Sequence, residues 1–398
     1  MVSFSRRKIG GAEQNLDVVL PEFERRGHQL QFIYFHDEPS TRPLVRTSSA
    51  VDLVDAEQTG TEVALEKVRA FHPDVINVHG DIQPEFQTGL IAIAPSAYSV
   101  HNYYGTCISG LKTQSFPVIQ PCDRVFGPVC LLEYFPRRCG GLSPITMVQR
   151  YRTERDRLAV MGQYQAVITH SARMELEYRK HGLHPSRVFG LPYEVSRSPA
   201  HAKSIPPYSV VDRPQLLFAS RMDRLKGGRI LLDALPLVYQ TLARPLDMVF
   251  AGDGPERLGW EAKARSLRAR SPEIQCRFTG WQSSEQLTGL FESSHALVVP
   301  SQCPETFGKI GPEAAGCGLP AAAFRVGGIE EWLIPGVNGA LAPGTPPTAK
   351  GLAQAICEVI GDPDRHAQLS RGAVASVSRF DLETHVDRLL ALFDQIRQ

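Results

Sequence analysis

The sequence predicts an α/β protein made of two Rossmann-like halves, and three observations carry that expectation. Apolar runs of strand length alternate with amphipathic stretches of helix length along the chain, which favours parallel sheets covered by helices. The length, 398 residues, favours two domains. A Pro- and polar-rich run over 196–214, with Pro199, Pro206, Pro207 and Pro214, interrupts the alternation as a linker would. The expected organisation is therefore a first domain over 1–195, a linker over 196–214, a second domain over 215–380, and a closing amphipathic helix over 381–398 that would dock across the domain boundary.

In the first half, Gly10-Gly11-Ala12-Glu13 opens a helical pattern with Leu16, Val19, Leu20 and Phe23 on one face, closing near Arg26-Gly27. Strands are expected over 29–35, 74–79, 98–101, 166–171 and 188–192, with helices over 61–70, 144–162 and from 172 to His181-Gly182. Only nine residues precede Gly10, so the strand that would lead into the Gly-Gly turn is expected to be absent or cut short, as a late start codon would cause. Losing a central strand would expose backbone groups and apolar neighbours. Residues 105–143 are rich in Gly, Pro and Cys and read as a long inserted loop, a feature that is usually functional or metal-tied. In the second half, strands are expected over 215–220, 247–252, 275–280, 296–301 and 319–324, with helices between them.

Composition narrows the function classes. The chain is 42% hydrophobic and 21% charged, with a net charge of +1, so no broad basic field points to nucleic acid. No run is apolar enough to span a bilayer, and no apolar segment follows the charged N-terminal residues as in a signal peptide. The expectation is a cytoplasmic protein, with Arg6-Arg7-Lys8 as a weak pointer to peripheral contact at the inner face of a membrane. Eight cysteines at this length do not read as a disulfide framework. Cys107, Cys122, Cys130 and Cys139 share the insert and would either hold a structural zinc or stay free thiols; none has close Cys-x-x-Cys spacing. Cys276, Cys303, Cys317 and Cys357 read as small apolar residues.

The chemistry concentrates in the second half. Arg221 and Lys226-Gly227 follow its first strand and precede a helix, so two cations and a helix N-terminus suit a diphosphate, with surface charge as the alternative. Gly252-Asp253-Gly254-Pro255 is a glycine turn after a strand; Arg257 prevents a G-x-G-x-x-G fingerprint. Trp281 follows the next strand, as a core residue or beside a nucleobase through its backbone more than its ring. Glu305 and Glu313 have seven residues between them in Pro304-Glu305-Thr306-Phe307-Gly308 to Glu313-Ala314, just past a strand, where open sheets bind ligands. Val326-Gly327-Gly328 is one more glycine turn. In the first half, His79 and His101 end strands; His79 reads as structural or as a ligand contact, and His28 as structural.

Taken in order and spacing, these elements resemble glycosyltransferase family 4, with Cys317-Gly318-Leu319-Pro320, Glu331 and Gly336-Val337-Asn338-Gly339 adding to the match over 215–345. Gly10-Gly11-Ala12-Glu13, Gly27-His28 and His101 extend it more loosely into the first half. The resemblance implies the GT-B architecture, two Rossmann-like domains facing each other across a cleft, and a retaining transfer of sugar from a nucleotide-diphosphate sugar, of UDP or GDP type, to a saccharide or lipid-linked acceptor in polysaccharide or glycoconjugate assembly. It implies that Arg221 and Lys226 neutralise the donor diphosphate, that Glu305 holds sugar hydroxyls, that Phe307 and Gly308 bring backbone close to sugar and phosphate, and that Glu313 binds the ribose. Gly252, Gly254 and Trp281 would line the donor site, Gly11 would let its backbone approach the phosphate, and His101 would stand near the sugar from the acceptor side. No metal cofactor is required in that family. Asn102 departs from it, because Asp is frequent after the histidine, and this would alter acceptor-side hydrogen bonding. Two other functions compete: a non-catalytic sugar-nucleotide-binding or scaffold protein with a degenerate first domain, and a GT-B epimerase.

Overall fold

The structure is a computed structural model that describes residues 1–8, 10–37, 43–195 and 213–398. The expected linker, apart from Arg213 and Pro214, lies outside the described residues. The strands, in chain order, are β1 (Val2–Ser5), β2 (Gln31–His36), β3 (Asp52–Asp55), β4 (Ile76–His79), β5 (Ser96–Ser99), β6 (Thr113–Gln114), β7 (Gln120–Pro121), β8 (Ala166–Thr169) and β9 (Val188–Gly190). They continue with β10 (Gln215–Ala219), β11 (Leu246–Ala251), β12 (Ile274–Gly280), β13 (Ala296–Val299), β14 (Ala321–Phe324) and β15 (Gly339–Ala342). The chain divides into two compact units, one of Met1–Lys112, Asp123–Ser196 and Phe380–Gln398, the other of Thr113–Cys122 and Arg197–Arg379.

The first unit holds a parallel sheet in the order β3-β2-β1-β4-β5-β8-β9. Every residue of β4, β5 and β8 is buried, as strands covered on both faces require. The strand expected to be absent or cut short is present with four residues: β1 lies in the sheet centre, with Val2 opposite Ile33 on one side and Val78 on the other. Its four residues read as loop because two are serines. Ser3 and Ser5 are nonetheless fully buried, small enough for a crowded central position. The closing helix Leu382–Arg397 belongs to this unit, where Val386, Leu389 and Leu392 pack with Val19, Phe23, Ala97 and Ile168. Its His385 Nδ1 lies 2.9 Å from the Pro192 carbonyl.

Among the described residues no group of three or more His, Cys, Asp or Glu side chains is placed to hold an ion. A buried ion pair anchors the cysteine insert. Lys112 Nζ lies 2.5 Å from Glu177 Oε1 and donates to the Thr106 carbonyl at 3.1 Å. The Phe126 amide donates to His181 Nε2 at 2.8 Å, fastening the other side of the insert to the same helix end. Breaking one partner of such a pair leaves an uncompensated buried charge, so it is a strong tie even though forming it is expensive.

The second unit holds a parallel sheet in the order β12-β11-β10-β13-β14-β15. The order reverses at the β10/β13 pair, and in open sheets that switch point is where loops diverge and leave room for a ligand. The helix Gly228–Leu242 closes on the sheet over Trp260, which is fully buried and edge-on to Phe218 at 5.5 Å. A Cβ at Gly228 would stand 2.3 Å from the Trp260 ring, so glycine is needed for that approach.

Candidate functional site

The carboxyl ends of β10 and β13 bring together the two halves of a charged site. After β10, Asp223 turns the chain by accepting from the Leu225 and Lys226 amides at 2.9 and 3.2 Å. Gly227 follows at φ +74°, with a Cβ position only 1.9 Å from the Pro300 carbonyl oxygen, so the loop lies flat against the end of β13. The Gln302 amide donates to the Leu225 carbonyl at 2.8 Å and joins the two loops. Lys226 Nζ then meets Glu305 Oε1 at 2.6 Å, and the Ser301 hydroxyl donates to the same oxygen.

The electrostatics follow from that geometry. Burial disfavours the charged form of each partner. For Glu305 it is outweighed by the charge and hydrogen bond of Lys226 and by the Ser301 hydroxyl, leaving the carboxyl below its usual range. Lys226 is shifted the other way: burial lowers it, and Glu305 more than offsets that. Both stay ionised at neutral pH. Burial, with the Glu305 charge beside it, pushes the neighbouring Cys303 thiol up to about 12, which keeps it protonated and inert.

Glu305 is also held through its backbone. The Gly328 amide donates to the Glu305 carbonyl at 2.6 Å. Gly327, at φ +58°, runs so close that a Cβ would stand 2.2 Å from the Glu305 carbonyl oxygen and 2.4 Å from its nitrogen. The second glycine turn of the sequence thus clamps the first carboxylate. Ser301 and Gly327 escaped the sequence reading as partners of Glu305; the available signal was their position at the ends of β13 and β14, adjacent strands in a parallel sheet.

The other residues of the second unit fall on the same sheet edge in different states. Arg221 is exposed. Gly252 packs against Ser220, its Cβ position 2.1 Å from that carbonyl oxygen, and Gly254 against Met222 at 2.4 Å, so the β11 turn supports the Arg221 loop from behind. The Trp281 ring is 69% exposed, and its carbonyl accepts from Gln282 Nε2 at 3.0 Å. Phe307 is fully buried and its carbonyl accepts from the Trp332 indole at 2.7 Å, while the Gly308 carbonyl accepts from the Gly311 amide at 3.0 Å. Glu313 stands half-buried in the first turn of the helix Ile310–Gly316.

In the first unit the carboxyl edge is built of rings. His79 ends β4, His101 follows β5, His170 follows β8 and Tyr193 follows β9. Adjacent strands lie about 4.8 Å apart, so rings at matching heights stack. His79 and His101 have centroids 5.2 Å apart, His101 and His170 5.1 Å, and His170 and Tyr193 3.7 Å. Asn77 Nδ2 can only donate, so it fixes His79 Nε2 as an acceptor at 2.9 Å and puts the His79 proton on Nδ1, which faces His101 Nε2 at 3.0 Å. His101 Nδ1 meets the Tyr193 hydroxyl. Both His101 nitrogens therefore have protein partners. Burial lowers His79 to about 3 and keeps it neutral. Sequence reasoning singled out His79 and His101 and missed His170 and Tyr193, which carry the same signal of a ring just past a buried strand. Gly11 opens the helix Gly11–Arg25, is exposed, and has nothing within 4 Å of a Cβ position.

The basic N-terminal cluster is not an open patch. Arg6 and Arg7 pair with Asp37 at 3.5 and 2.9 Å, and Lys8 with Asp17 at 3.1 Å, so all three cations of this cluster have acidic partners within the protein. Among the described residues no helix is long and apolar enough to cross a membrane.

Two Rossmann-like units, the second with a Lys–Glu pair and glycine turns at its switch point, define the GT-B class of glycosyltransferase fold. Comparison with known proteins agrees. Residues 213–362 match the family described as Glycosyl transferases group 1. D-inositol 3-phosphate glycosyltransferase 1 of Catenulispora acidiphila is 33% identical over 220 residues, 54% of this chain and 51% of the relative. The chain thus spans about half the length of the curated relatives it matches. Among solved structures, Anabaena HepE in complex with UDP and glucose has a TM-score of 0.68 at 18% identity, covering 99% of each chain. Sucrose-phosphate synthase of Thermosynechococcus elongatus has a TM-score of 0.70 at 19% identity, covering 99% of this chain and 98% of that one. The sequence of the second unit is thus similar to the Glycosyl transferases group 1 family, and the fold of the whole chain is shared with GT-B glycosyltransferases of known structure.

Proposed function

We propose that the protein is a retaining glycosyltransferase of family 4 that moves a sugar from a nucleotide-diphosphate sugar to a saccharide or lipid-linked acceptor in glycoconjugate or polysaccharide synthesis. The observation that carries this reading is the Lys226–Glu305 pair at the β10/β13 switch point, ionised on both sides and clamped by Gly227 and Gly327. Lys226, aided by Arg221, would stabilise the leaving diphosphate as charge develops on it. Glu305 would hold sugar hydroxyls, and Glu313 the ribose. Gly252, Gly254 and the Phe307-Gly308 stretch would shape the donor site, with Trp281 at its rim. The acceptor hydroxyl would bond to the sugar on the face from which the diphosphate departs and give its proton to the leaving phosphate oxygen, so neither carboxylate needs to act as a base. Gly11 and His101, in the first unit, would serve the phosphate and the acceptor side. The match to an inositol phosphate glycosyltransferase and the shared fold with a UDP- and glucose-bound protein favour a UDP-sugar donor.

The test is a panel of UDP-, GDP- and ADP-sugars scored by thermal shift and then by hydrolysis or transfer. A UDP-sugar should raise the melting temperature and turn over slowly to free sugar, and Lys226→Ala should sharply lower turnover with the fold intact. If no sugar nucleotide binds, the donor reading fails. Binding without turnover on any acceptor would favour the non-catalytic alternative.

A further inference from the structure

Behind the rings of the first unit lies a buried layer of polar side chains. The sheet register puts Ser3 opposite His79 on one side and Ser99 opposite it on the other. Asn77 stands two residues before His79, so all four belong to one face of the sheet, and all four are buried. Ala97 and Ile168 lie on that same face and pack with Val19, Phe23 and Val386. Apolar side chains would serve stability at the polar positions too, because each buried polar group costs free energy until it is hydrogen-bonded. The two serines leave room for an imidazole between them.

The hydrogen bonds of this layer have a direction. The Ser99 hydroxyl donates to Asn77 Oδ1 at 3.1 Å, which turns the amide nitrogen of Asn77 toward His79 Nε2 at 2.9 Å. That nitrogen only donates, so His79 Nε2 accepts and the one proton of its neutral ring sits on Nδ1. His79 Nδ1 donates in turn to His101 Nε2 at 3.0 Å, with the two ring planes 20° apart. His101 Nε2 is then an acceptor, and the His101 proton sits on Nδ1, against the Tyr193 hydroxyl. The Tyr193 ring is held from its other side by His170, with centroids 3.7 Å apart, and His170 Nδ1 is 2.9 Å from the Leu191 carbonyl. One buried amide thus decides which nitrogen of a histidine on the next strand carries hydrogen. A half-turn of the His101 ring would set carbon atoms against both partners, so the orientation is fixed together with the tautomer.

We propose that His79 and Tyr193 are positioning residues for sugar transfer: they hold the His101 ring in one tautomer and one orientation, so that His101 serves the acceptor side by its place and neither gives nor takes a proton. This rests on the proposed role of His101 on the acceptor side. It fits a transfer in which the leaving phosphate receives the acceptor proton, since a base on this edge would have nothing to do.

The experiment joins side-chain nitrogen NMR of the histidine-labelled full chain, assigned by single substitutions, to turnover of a UDP-sugar. In the parent, His79 and His101 should both carry hydrogen on Nδ1, the reverse of the tautomer that free histidine favours. Tyr193→Phe keeps the ring against His170 and removes only the hydroxyl. His101 should then populate both tautomers, and kcat should fall about tenfold while the donor KM and the affinity for UDP stay within about twofold. His79→Leu should show the same split. His79→Gln, whose amide can accept from Asn77 and donate to His101, should recover most of the loss, which a merely space-filling role would not require. A parent His101 with its proton on Nε2 would overturn the proposal. So would a parent-like kcat in Tyr193→Phe, or a His79→Gln variant as slow as His79→Leu. If His79→Leu does not fold, the parent spectrum and Tyr193→Phe decide. A parent that turns over no UDP-sugar counts against the donor reading; the tautomer spectrum needs no substrate, and mixed His101 tautomers in it would rule the relay out.

Discussion

The two sheets of this protein run their first four strands in the same 3-2-1-4 order, yet their carboxyl edges carry opposite chemistry. The second unit places opposite charges on the two strands that flank its switch point, 2.6 Å apart and wedged between glycine turns. The first unit places imidazole and phenol rings on four neighbouring strands, joined by hydrogen bonds and stacking, with His79 held neutral by burial. A shared topology fixes where a ligand can sit; the residues just past each strand fix what the edge can do. A charged, rigid edge suits a diphosphate, and an edge of hydrogen-bonding rings suits hydroxyl groups.

The largest expected effect tests the charged side. Lys226→Ala should lower donor turnover by about 10²–10³, since it removes the cation facing the leaving group. A loss of only a few fold would mean that the second unit does not handle the phosphate, and the contrast between the edges would lose its meaning. Glu305→Ala should come next, with sugar turnover falling about 10²-fold while UDP affinity, read by calorimetry, changes only a few fold. If UDP affinity falls as steeply as turnover, Glu305 serves mainly to place Lys226.

Gly327→Ala tests rigidity. Its Cβ would overlap the Glu305 backbone at 2.2 Å in a left-handed conformation, so the second unit should lose at least about 1–3 kcal/mol in denaturant unfolding. Alanine at Gly11, where nothing lies within 4 Å, should leave stability nearly unchanged, and any loss of donor turnover there would report on ligand approach.

The smallest effect is in the response to acid. His79 is lowered from 6.5 to about 3 when folded, so between those values the unfolded chain binds the extra proton and stability falls as pH drops through that window. Glu305 is also lowered, so its contribution is present above its ordinary 4.5 and is lost only as pH falls through a still lower value. The contribution of His79 should therefore be lost before that of Glu305. His366, in the second unit, is lowered by burial in the same direction, so His79→Gln isolates the effect. The drop in melting temperature from about pH 7.5 to about pH 5 should shrink in that variant. An unchanged drop would assign the acid sensitivity elsewhere.

Much of this architecture is legible in the sequence. Alternating apolar runs set the two parallel sheets, because most strands buried on both faces are predominantly apolar. Lys226, Gly227, Glu305 and the Gly327-Gly328 turn stand out because each lies just past a strand. What the one-dimensional pattern could not show is pairing between strands. That Lys226 meets Glu305 depends on β13 lying beside β10, and the rings of His79, His101, His170 and Tyr193 meet only because β4, β5, β8 and β9 are neighbours. Strand β1 was hidden because its serines carry no apolar signal; only the space between β2 and β4 explains them. The cysteines of the insert are close in sequence, but that Lys112 and Glu177 pair to anchor it is visible only in space. Periodicity and composition are local properties and determine which segments become strands and helices. Which charges meet and which rings stack are decided by distances that exist only after the sheets have formed.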